Sequence, residues 1–512
     1  MDYTLEKKSV PVRETVFDGC FEQPLDLDFT LPDYCPSIEK ILKCRVTPQI
    51  HSKSLSGDRL IIEGAAAVCV LYIDEEKKSL RSCEHSVPYS GSVNVKSDCT
   101  DAVISAYSKT EYVNCRAISP RRLDIHGAFS ICAKIDSIRF KETAAGCGCE
   151  DIQLKCESID CSRLCALSQQ QFSIAEELTP VSGSPAVRSI IKTDMKVRQT
   201  ECRIAGDKAM VKGELCVRAL YIADNEIGEC VVTEFVIPVG QVIDAAGIEN
   251  DAKTDCRLQL LSGDCKLKEG ENGNIICVEC RLCALVAAYC PDKIEYISDA
   301  FSTLYEIECE YSSLKTDRLI DICRESSIIK SSADTETNGI SKVIDIWGEG
   351  CTAAPAFENG TAMIKGKLNA CILALDNDSV PFYAERSIDY LCPIKLSTEP
   401  TDNTSLDCEA SVESISFRLS GGSNIDLRCE ITVEARAFES SSIRTLTKAV
   451  ADEEHPRSGN SAALTLYFAD KGESVWKIAR SYSAVPEAIM NENNLSDDRL
   501  DDECMLLIPG IN

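Results

Sequence analysis

The chain has 512 residues, of which 44% are hydrophobic and 27% charged, a balance typical of folded globular domains rather than of disordered chains. At roughly 100–200 residues per domain, this length predicts about three to five domains. The formal charge of −28 is spread along the chain and opposes binding to nucleic acid and to anionic lipid.

The amino-terminal segment indicates the compartment in which the protein works, and the compartment in turn predicts the state of the cysteines. The first residues of the chain, MDYTLEKKSVPVRE, are polar and charged and lack the apolar core of a signal peptide. The longest apolar run, at 65–73, is far shorter than the ~20 residues of a membrane-spanning helix. We therefore expect a cytoplasmic protein with no membrane insertion. Its 30 cysteines should stay mostly reduced and act as small buried apolar side chains.

Two segments of the chain recur at one constant offset. Residues 36–43 return as 185–192, and residues 64–73 return as 213–222, in both cases 149 positions later. Because two separate segments keep the same offset, the chain contains an internal repeat of about 150 residues, the size of a whole domain.

A third copy is recognisable further along the chain. Residues 327–330 resemble the end of the first segment, and residues 366–375 resemble the second. The interval from the lysine of the first segment to the glycine of the second is 36 positions here, against 21 in the other copies. The alignment therefore predicts an insertion of 15 residues around 344–350 in the third unit.

The pattern within each unit predicts mainly antiparallel β structure. Residues 425–434 alternate almost strictly between apolar and polar side chains, as a half-buried strand does, and 123–132 and 275–284 align with them. Turn signals at 56–58, 206–207 and 359–360 directly precede the repeated glycine-containing strands. We also predict one short helix per unit, at 36–43 and 185–192, because a proline begins each segment.

The last fifty residues differ from the repeats. A polar segment with proline and glycine precedes them. Their pattern predicts, in order, a strand at 464–468, a turn followed by an amphipathic helix within 472–482, a second short helix at 485–491 and a strand at 504–509. Ser474 is a suitable N-cap for the first helix, and Pro486 begins the second.

The sequence therefore predicts a mainly β protein with a small α+β module at its end. The predicted organisation is three repeated, sandwich-like antiparallel β domains at 1–170, 171–320 and 321–450, a linker at 451–462, and a βααβ module at 463–511.

The βααβ module resembles the LysM family. The resemblance rests on Tyr467, Lys471, Gly472, Val475, Trp476, Ile478, Ala479, Asn493, Asn494, Leu495, Leu507, Ile508 and Pro509. Two departures from the family pattern are present. Glu473-Ser474 stands where the family usually has Asp-Thr, and residues 501–503 are acidic where the family usually has a glycine.

The resemblance implies both a ligand and a site. LysM modules bind N-acetylglucosamine chains of peptidoglycan or chitin in a shallow groove between the loop before the first helix and the loop after the second. By position, the partner- or glycan-binding residues are Gly472, Glu473, Ser474, Val475, Asn493, Asn494, Leu495 and Ser496. Trp476, Ile478 and Ile508 are expected in the core. Since the module holds nine acidic and four basic residues, a protein partner is at least as plausible as a glycan.

Three related β units followed by one LysM module resemble, as a whole chain, the clostridial spore-coat morphogenetic proteins of the type that interacts with the coat-basement ATPase SpoIVA. The entry segment at 31–38 and the glycine-containing strands at 64–73 and 213–222 carry this resemblance. It implies a non-enzymatic scaffold that tethers a SpoIVA-like ATPase and other coat proteins in the mother-cell cytoplasm, at the forespore surface. The alternative is a cell-wall-associated protein that binds peptidoglycan, which a signal peptide would have supported.

The sequence contains no recognisable enzyme motif. It lacks the G-x-x-x-x-G-K-[ST] phosphate loop, the H-E-x-x-H zinc motif and the G-x-S-x-G nucleophile elbow. None of the four histidines aligns with a histidine in another repeat. We therefore predict a protein that is not an enzyme, with no cofactor and no catalytic residue.

The cysteines were weighed as metal ligands. Cys277, Cys280 and Cys283 have C-x-x-C spacing, but in a predicted strand Cys277 and Cys280 would point to opposite faces. No metal site is predicted, and the best candidate cluster is Cys147, Cys149, Cys156, Cys161 and Cys165. A further hypothesis is that exposed thiols cross-link late, once the reducing cytoplasm is lost.

Overall fold

The fold is described from a computed structural model. It covers residues 2–76, 78–95, 102–181, 183–249, 251–270, 273–457 and 464–510. Most of these residues lie in strands, and the two helices in this part of the chain are both short.

Each repeat unit consists of a consecutive run of strands. The first unit holds β1 (Leu5–Thr30), β2 (Ile38–Ser56), β3 (Arg59–Asp74), β4 (Leu80–Asn94), β5 (Val103–Ser119) and β6 (Arg122–Cys147). The second holds β7 (Ile152–Leu178), β8 (Val187–Ala205), β9 (Lys208–Ala223), β10 (Cys230–Asp244), β11 (Lys253–Gly270) and β12 (Gly273–Ser302). The third holds β13 (Tyr305–Asp334), β14 (Ile340–Glu349), β15 (Ala354–Glu358), β16 (Thr361–Asp376), β17 (Pro381–Ile394), β18 (Thr404–Gly421) and β19 (Asn424–Pro456). The module at the end contains β20 (Leu464–Ala469), α1 (Val475–Tyr482), α2 (Pro486–Glu492) and β21 (Cys504–Pro509).

The three units share one strand order, which forms two antiparallel sheets in the first and third units; in the second unit the pair Val187–Asn274 joins the two equivalent sheets into one. In the first unit, β2, β3 and β4 form one sheet, and β1, β6 and β5 form the other. Leu60 and Ile62 on β3 and Leu123 and Ile125 on β6 are completely buried in one core cluster. The two sheets therefore face each other across an apolar layer, as in a sandwich. The prediction of a mainly β fold with antiparallel sheets and a βααβ module is confirmed.

The two predicted helices at 36–43 and 185–192 are wrong, because both segments begin a strand. The strand β2 pairs with β3 from Ile38 onwards, with register shifts at Ile38/Lys40 and Ile41/Lys43, and β8 carries shifts at the corresponding places. Two β-bulges three residues apart break the alternation of a regular strand. The apolar residues then recur at the spacing of a helix turn, and this spacing misled the prediction.

The predicted insertion in the third unit is also wrong. Asp345 on β14 pairs with Leu373 in the same register in which Lys43 on β2 pairs with Leu71. Asp345 therefore corresponds to Lys43. The interval from Asp345 to Gly366 is 21 positions, the same as the interval from Lys43 to Gly64. Residues 327–330, which were aligned with the first segment, lie inside β13 instead. The third unit differs by an interruption between β14 and β15, where β2 is continuous.

The predicted domain limits do not coincide with the ends of strands. The limits after 170 and 320 fall inside β7 and β13, which pair with β12 and β19 respectively. The strand β19 extends to Pro456, six residues into the predicted linker. The remainder of that linker from 458 on, together with residues 463 and 511 at the predicted module limits, lies outside the described residues.

The three units meet around a shared apolar cluster, here termed the unit junction. Leu71, Leu220 and Leu373 occupy the same register position in the three units and lie in this cluster together with Trp347. Equivalent positions of three related domains converge, so the units are arranged with approximate three-fold symmetry. The chain thus holds in one molecule the geometry that a symmetric trimer builds from three copies.

Buried charges surround the unit junction. Asp345 is 1% exposed and Lys192 is 4% exposed, and their charged atoms are 3.0 Å apart. Arg218 reaches the same Asp345 carboxylate at 2.7 Å, and the Lys192 ammonium lies 3.8 Å from the centroid of the Trp347 ring. Burial opposes ionisation of Asp194, but the charges of Lys192 and Arg45 outweigh it and lower the pKa of Asp194. The second and third units are therefore joined by a desolvated ion-pair network.

Candidate functional site

The module at the end of the chain contains the predicted binding loops, and its elements lie where the sequence predicts them. A core of Val475, Ile478, Ile489, Leu506 and Ile508 fills the space between the two helices and the two-stranded sheet. Ile478 and Ile508 are core residues, as predicted. The loop before α1 and the loop after α2 are therefore held on a rigid frame.

The first loop is fixed by Asp498, a residue that the sequence analysis did not select. Ser474 has the extended backbone of an N-cap, but its hydroxyl donates to the Asp498 carboxylate at 2.9 Å instead of bonding to the helix. The Asp498 carboxylate accepts the backbone N–H of Trp476 at 2.7 Å. Asp498 therefore caps α1 from a distant part of the chain, and its negative charge lies near the positive end of the helix dipole.

The remaining first-loop residues have mixed roles. Glu473 accepts hydrogen bonds from the Tyr467 hydroxyl at 2.7 Å and from the backbone N–H of Asp470 at 3.1 Å. The bond to Glu473 raises the pKa of Tyr467. Val475 is completely buried and offers no side-chain surface to a ligand. Gly472 is exposed and has a positive φ of 81°, a conformation that glycine adopts without strain.

The second loop is anchored by Asn493. Its side-chain amide donates to the carbonyl of Leu507 and accepts the backbone N–H of the same residue, both at 2.7 Å. Leu495 packs against the module core, whereas Asn494 and Ser496 are exposed. Of the eight predicted binding residues, Gly472, Asn494 and Ser496 thus present exposed surface to solvent, and Asn493 is engaged inside the module.

One side of the module is packed against the repeat units. The indole Nε1 of Trp476 donates to the Asp299 carboxylate at 2.9 Å, and Arg480 lies 3.0 Å from the same carboxylate. The ring of Trp476 meets that of Phe301 edge to face, with 4.9 Å between centroids. Asp299 and Phe301 belong to β12, so α1 is docked on the second unit. Trp476 is therefore buried, as predicted, but its indole is shared between the module and that unit.

The groove side of the module lies close to this docking contact. Lys155 on β7 reaches the Asp498 carboxylate, with 3.7 Å between the charged atoms. Because Asp498 holds the first loop, a charged group of the second unit lies at the rim of the predicted glycan groove. Access of a long glycan chain to that rim is restricted in this arrangement.

The opposite side of the module exposes an apolar surface. Leu464, Leu466 and Phe468 alternate along β20, and their partners on β21 include Met505 and Leu507. Phe468 is 80% exposed and Leu466 is 60% exposed. Residues directly opposite on antiparallel strands share one face, so these five side chains form one patch, here termed the apolar sheet face. Such contiguous exposed apolar surface marks interaction sites. The sequence predicts β20 and β21, but it does not show that this face is uncovered.

The five cysteines that formed the best candidate cluster for a metal do not converge in the structure. In the described part of the chain, Cys147, Cys149, Cys156, Cys161 and Cys165 are not a group whose ligand atoms converge. Cys165 instead contacts Cys290 on β12. Two pairs, Cys20–Cys132 and Cys202–Cys256, are joined as disulfides, whereas the other cysteines in the described part of the chain are free, in line with the expectation of mostly reduced thiols. Many of the free thiols are buried, and burial raises the pKa of Cys69 to about 12.

Comparison with known families identifies the repeats and the module. The family described as SipL, SPOCS domain, matches residues 37–118 and 186–268, which span β2 to β5 and most of the equivalent strands β8 to β11. The LysM domain family matches residues 470–501. No curated protein and no solved structure matches the chain. Among the described residues, no helix has the length and apolar character needed to cross a membrane.

The two matched families indicate a broad functional class for the chain. SPOCS and LysM domains together fit a sporulation-related adaptor with a peptidoglycan-binding type of domain. The third unit has the same strand order as the two matched units, and the LysM match covers both predicted loops. As the sequence resemblance predicted, the chain carries two segments that match the SPOCS domain of SipL, followed by a C-terminal LysM domain.

Proposed function

We propose that this protein is a non-enzymatic adaptor in endospore coat assembly, which tethers coat proteins to the forespore surface from the mother-cell cytoplasm. The LysM domain binds the SpoIVA-like coat-basement ATPase through the apolar sheet face, and the SPOCS units contact other coat proteins. The observation that carries the proposal is the exposure of Leu466 and Phe468 on a folded sheet. A surface of this kind gains free energy when a protein partner covers it.

Charge supports a protein partner of complementary character. Ala469 and Cys504 pair at the end of the two-stranded sheet, next to Phe468. Asp470 directly follows Ala469 and Glu503 directly precedes Cys504, so this end of the sheet is flanked by acidic residues. A partner surface with an apolar centre and a basic rim fits this arrangement, because opposite charges steer association and exclude wrong partners. The linked SPOCS units add valency, since tethered modules raise the effective concentration of one another's ligands.

Peptidoglycan binding is the second candidate, and the LysM match favours it. In that case the groove residues Asn494 and Ser496 carry the contacts, and Lys155 of the second unit has to move away from Asp498. The two candidates use opposite sides of the same domain, so substitutions on each side distinguish them.

The test compares two variants of the full chain against the purified SpoIVA-like ATPase and against sedimented peptidoglycan. Replacing both Leu466 and Phe468 by alanine should weaken ATPase binding by at least about tenfold, since loss of one buried aromatic contact costs ~2 kcal/mol or more. The control is Phe140→Ala, because Phe140 is an equally exposed aromatic residue, at 71%, on the first unit. Saturable binding to peptidoglycan together with unchanged ATPase binding by the double variant would reject the proposal in favour of the alternative.

A further inference from the structure

The second unit contains a group of metal-ligating side chains that the proposed function does not use. Cys165 lies on β7 and Cys290 on the neighbouring β12, and their sulfur atoms are 2.8 Å apart. Glu249 and Asp251 lie in the loop between β10 and β11. One ligand atom from each of Cys290, Glu249 and Asp251 lies within 4.8 Å of the other two. Cys290, Glu249 and Asp251 therefore converge, and Cys165 adjoins this group through its contact with Cys290.

The backbone brings this loop against the thiols. Gly247 has a φ of 89°, and a Cβ added there would lie 2.9 Å from the carbonyl oxygen of Cys165. A side chain at this position would push the loop away from β7. The loop therefore crosses Cys165 at van der Waals contact, and this close approach carries Glu249 and Asp251 over the thiol pair.

The charges around the group favour a cation. Arg163 pairs with Glu249 and lies 3.2 Å from Asp292, so one positive group stands against the three carboxylates of Glu249, Asp251 and Asp292. Cys290 is completely buried, whereas both loop carboxylates are exposed. An ion can thus enter from solvent on the carboxylate side and reach the buried sulfur of Cys290.

We propose that Cys165, Cys290, Glu249 and Asp251 form a structural zinc site. Two sulfur and two oxygen ligands suit a borderline, tetrahedral ion, whereas magnesium and calcium take oxygen ligands alone. At Zn–S bonds of ~2.3 Å and tetrahedral angles the two sulfurs would be about 3.8 Å apart, so they separate by about 1 Å on binding. This movement lies within the reach of the two side-chain torsions.

Zinc binding by cysteine is coupled to the release of thiol protons. Cysteine binds zinc as the thiolate, so the two Zn–S bonds form at the expense of S–H bonds, with no change of oxidation state. The apparent affinity therefore rises with pH, and zinc stabilises the folded chain by mass action.

The experiment titrates the full chain, purified under reducing conditions, with cobalt(II) and then with zinc. We expect one tight equivalent that gives a thiolate-to-cobalt charge-transfer band, which zinc then removes. Cys290→Ser should lose this equivalent. The control Cys280→Ser should keep it, because Cys280 is a buried thiol on the same strand that contacts Met195.

A second variant keeps the test independent of folding defects. Replacing Glu249 and Asp251, which are both exposed, by glutamine and asparagine leaves the core intact. This double variant should bind zinc at least about tenfold more weakly and lose the increase in melting temperature that zinc gives the parent chain. Unchanged stoichiometry and affinity in both variants would overturn the proposal. A disulfide between Cys165 and Cys290 in the reduced preparation would overturn it as well.

Discussion

The ion-pair network at the unit junction makes a quantitative prediction about Asp345. Asparagine at this position keeps the shape of the side chain but removes the charge that Lys192 and Arg218 share. Removing one partner of a buried pair typically costs 3–5 kcal/mol, because the remaining charge stays desolvated. Lys192 retains Asp194 as a partner, and Arg218 is about a third exposed and can rehydrate. We therefore expect Asp345→Asn to cost about 3 kcal/mol, the lower end of that range.

Urea unfolding followed by tryptophan fluorescence measures this cost. The chain has two tryptophans, so a Trp476→Phe background leaves Trp347, at the junction, as the only reporter. The control is Asp389→Asn, because Asp389 is 81% exposed and its ion pair with Lys367 should contribute less than about 1 kcal/mol. Equal unfolding midpoints for the two variants would refute the reasoning that the junction charges hold the units together.

Three further predictions concern charges and hydrogen bonds. The pKa of Asp194 is lowered on folding, so its contribution to stability is present above the unfolded value of about 3.9. This contribution should be lost as the pH falls below that value, and an acid titration in which Asp194→Asn shows the same loss as the parent would contradict this. Asp299→Ala should release the LysM domain, seen as a red shift of Trp476 emission in a Trp347→Phe background, and unchanged emission would refute the docking contact. Asn493→Ala should destabilise the LysM domain by about 1–3 kcal/mol, because it removes the partner of the part-buried backbone N–H and carbonyl of Leu507. Intact LysM stability with reduced ligand binding would show instead that Asn493 is a contact residue.

Much of the fold could be predicted because it depends on local pattern. The turn signals at 56–58, 206–207 and 359–360 do connect paired strands, with Gly57, Gly206 and Gly360 at positive φ. The helices predicted at 36–43 and 185–192 failed for a reason that is also local. The bulges in β2 and β8 give the apolar residues of a strand the apparent period of a helix. A bulge is defined by the pairing with the neighbouring strand, and a single sequence does not reveal that pairing.

The parts of the site that sequence reasoning missed depend on contacts between distant segments. Asp498 caps α1 across a turn and a second helix, and Asp299 reaches Trp476 from another unit. In a chain with 82 acidic residues, no pattern distinguishes these two carboxylates from the others. The apolar sheet face left a trace in the sequence, since Leu464, Leu466 and Phe468 occupy alternate positions along β20. Alternation shows which residues share a face, but only the packed domain shows that this face is uncovered.

The most direct test of the central claim places a photo-reactive amino acid at single positions of the LysM domain and irradiates the full chain with the purified SpoIVA-like ATPase. Phe468 on the apolar sheet face and Asn494 in the predicted groove are both exposed and lie on different sides of the domain. Our account predicts that the probe at Phe468 cross-links to the ATPase and that the probe at Asn494 does not. Cross-linking from Asn494 alone would contradict the account, since it would place the partner in the groove.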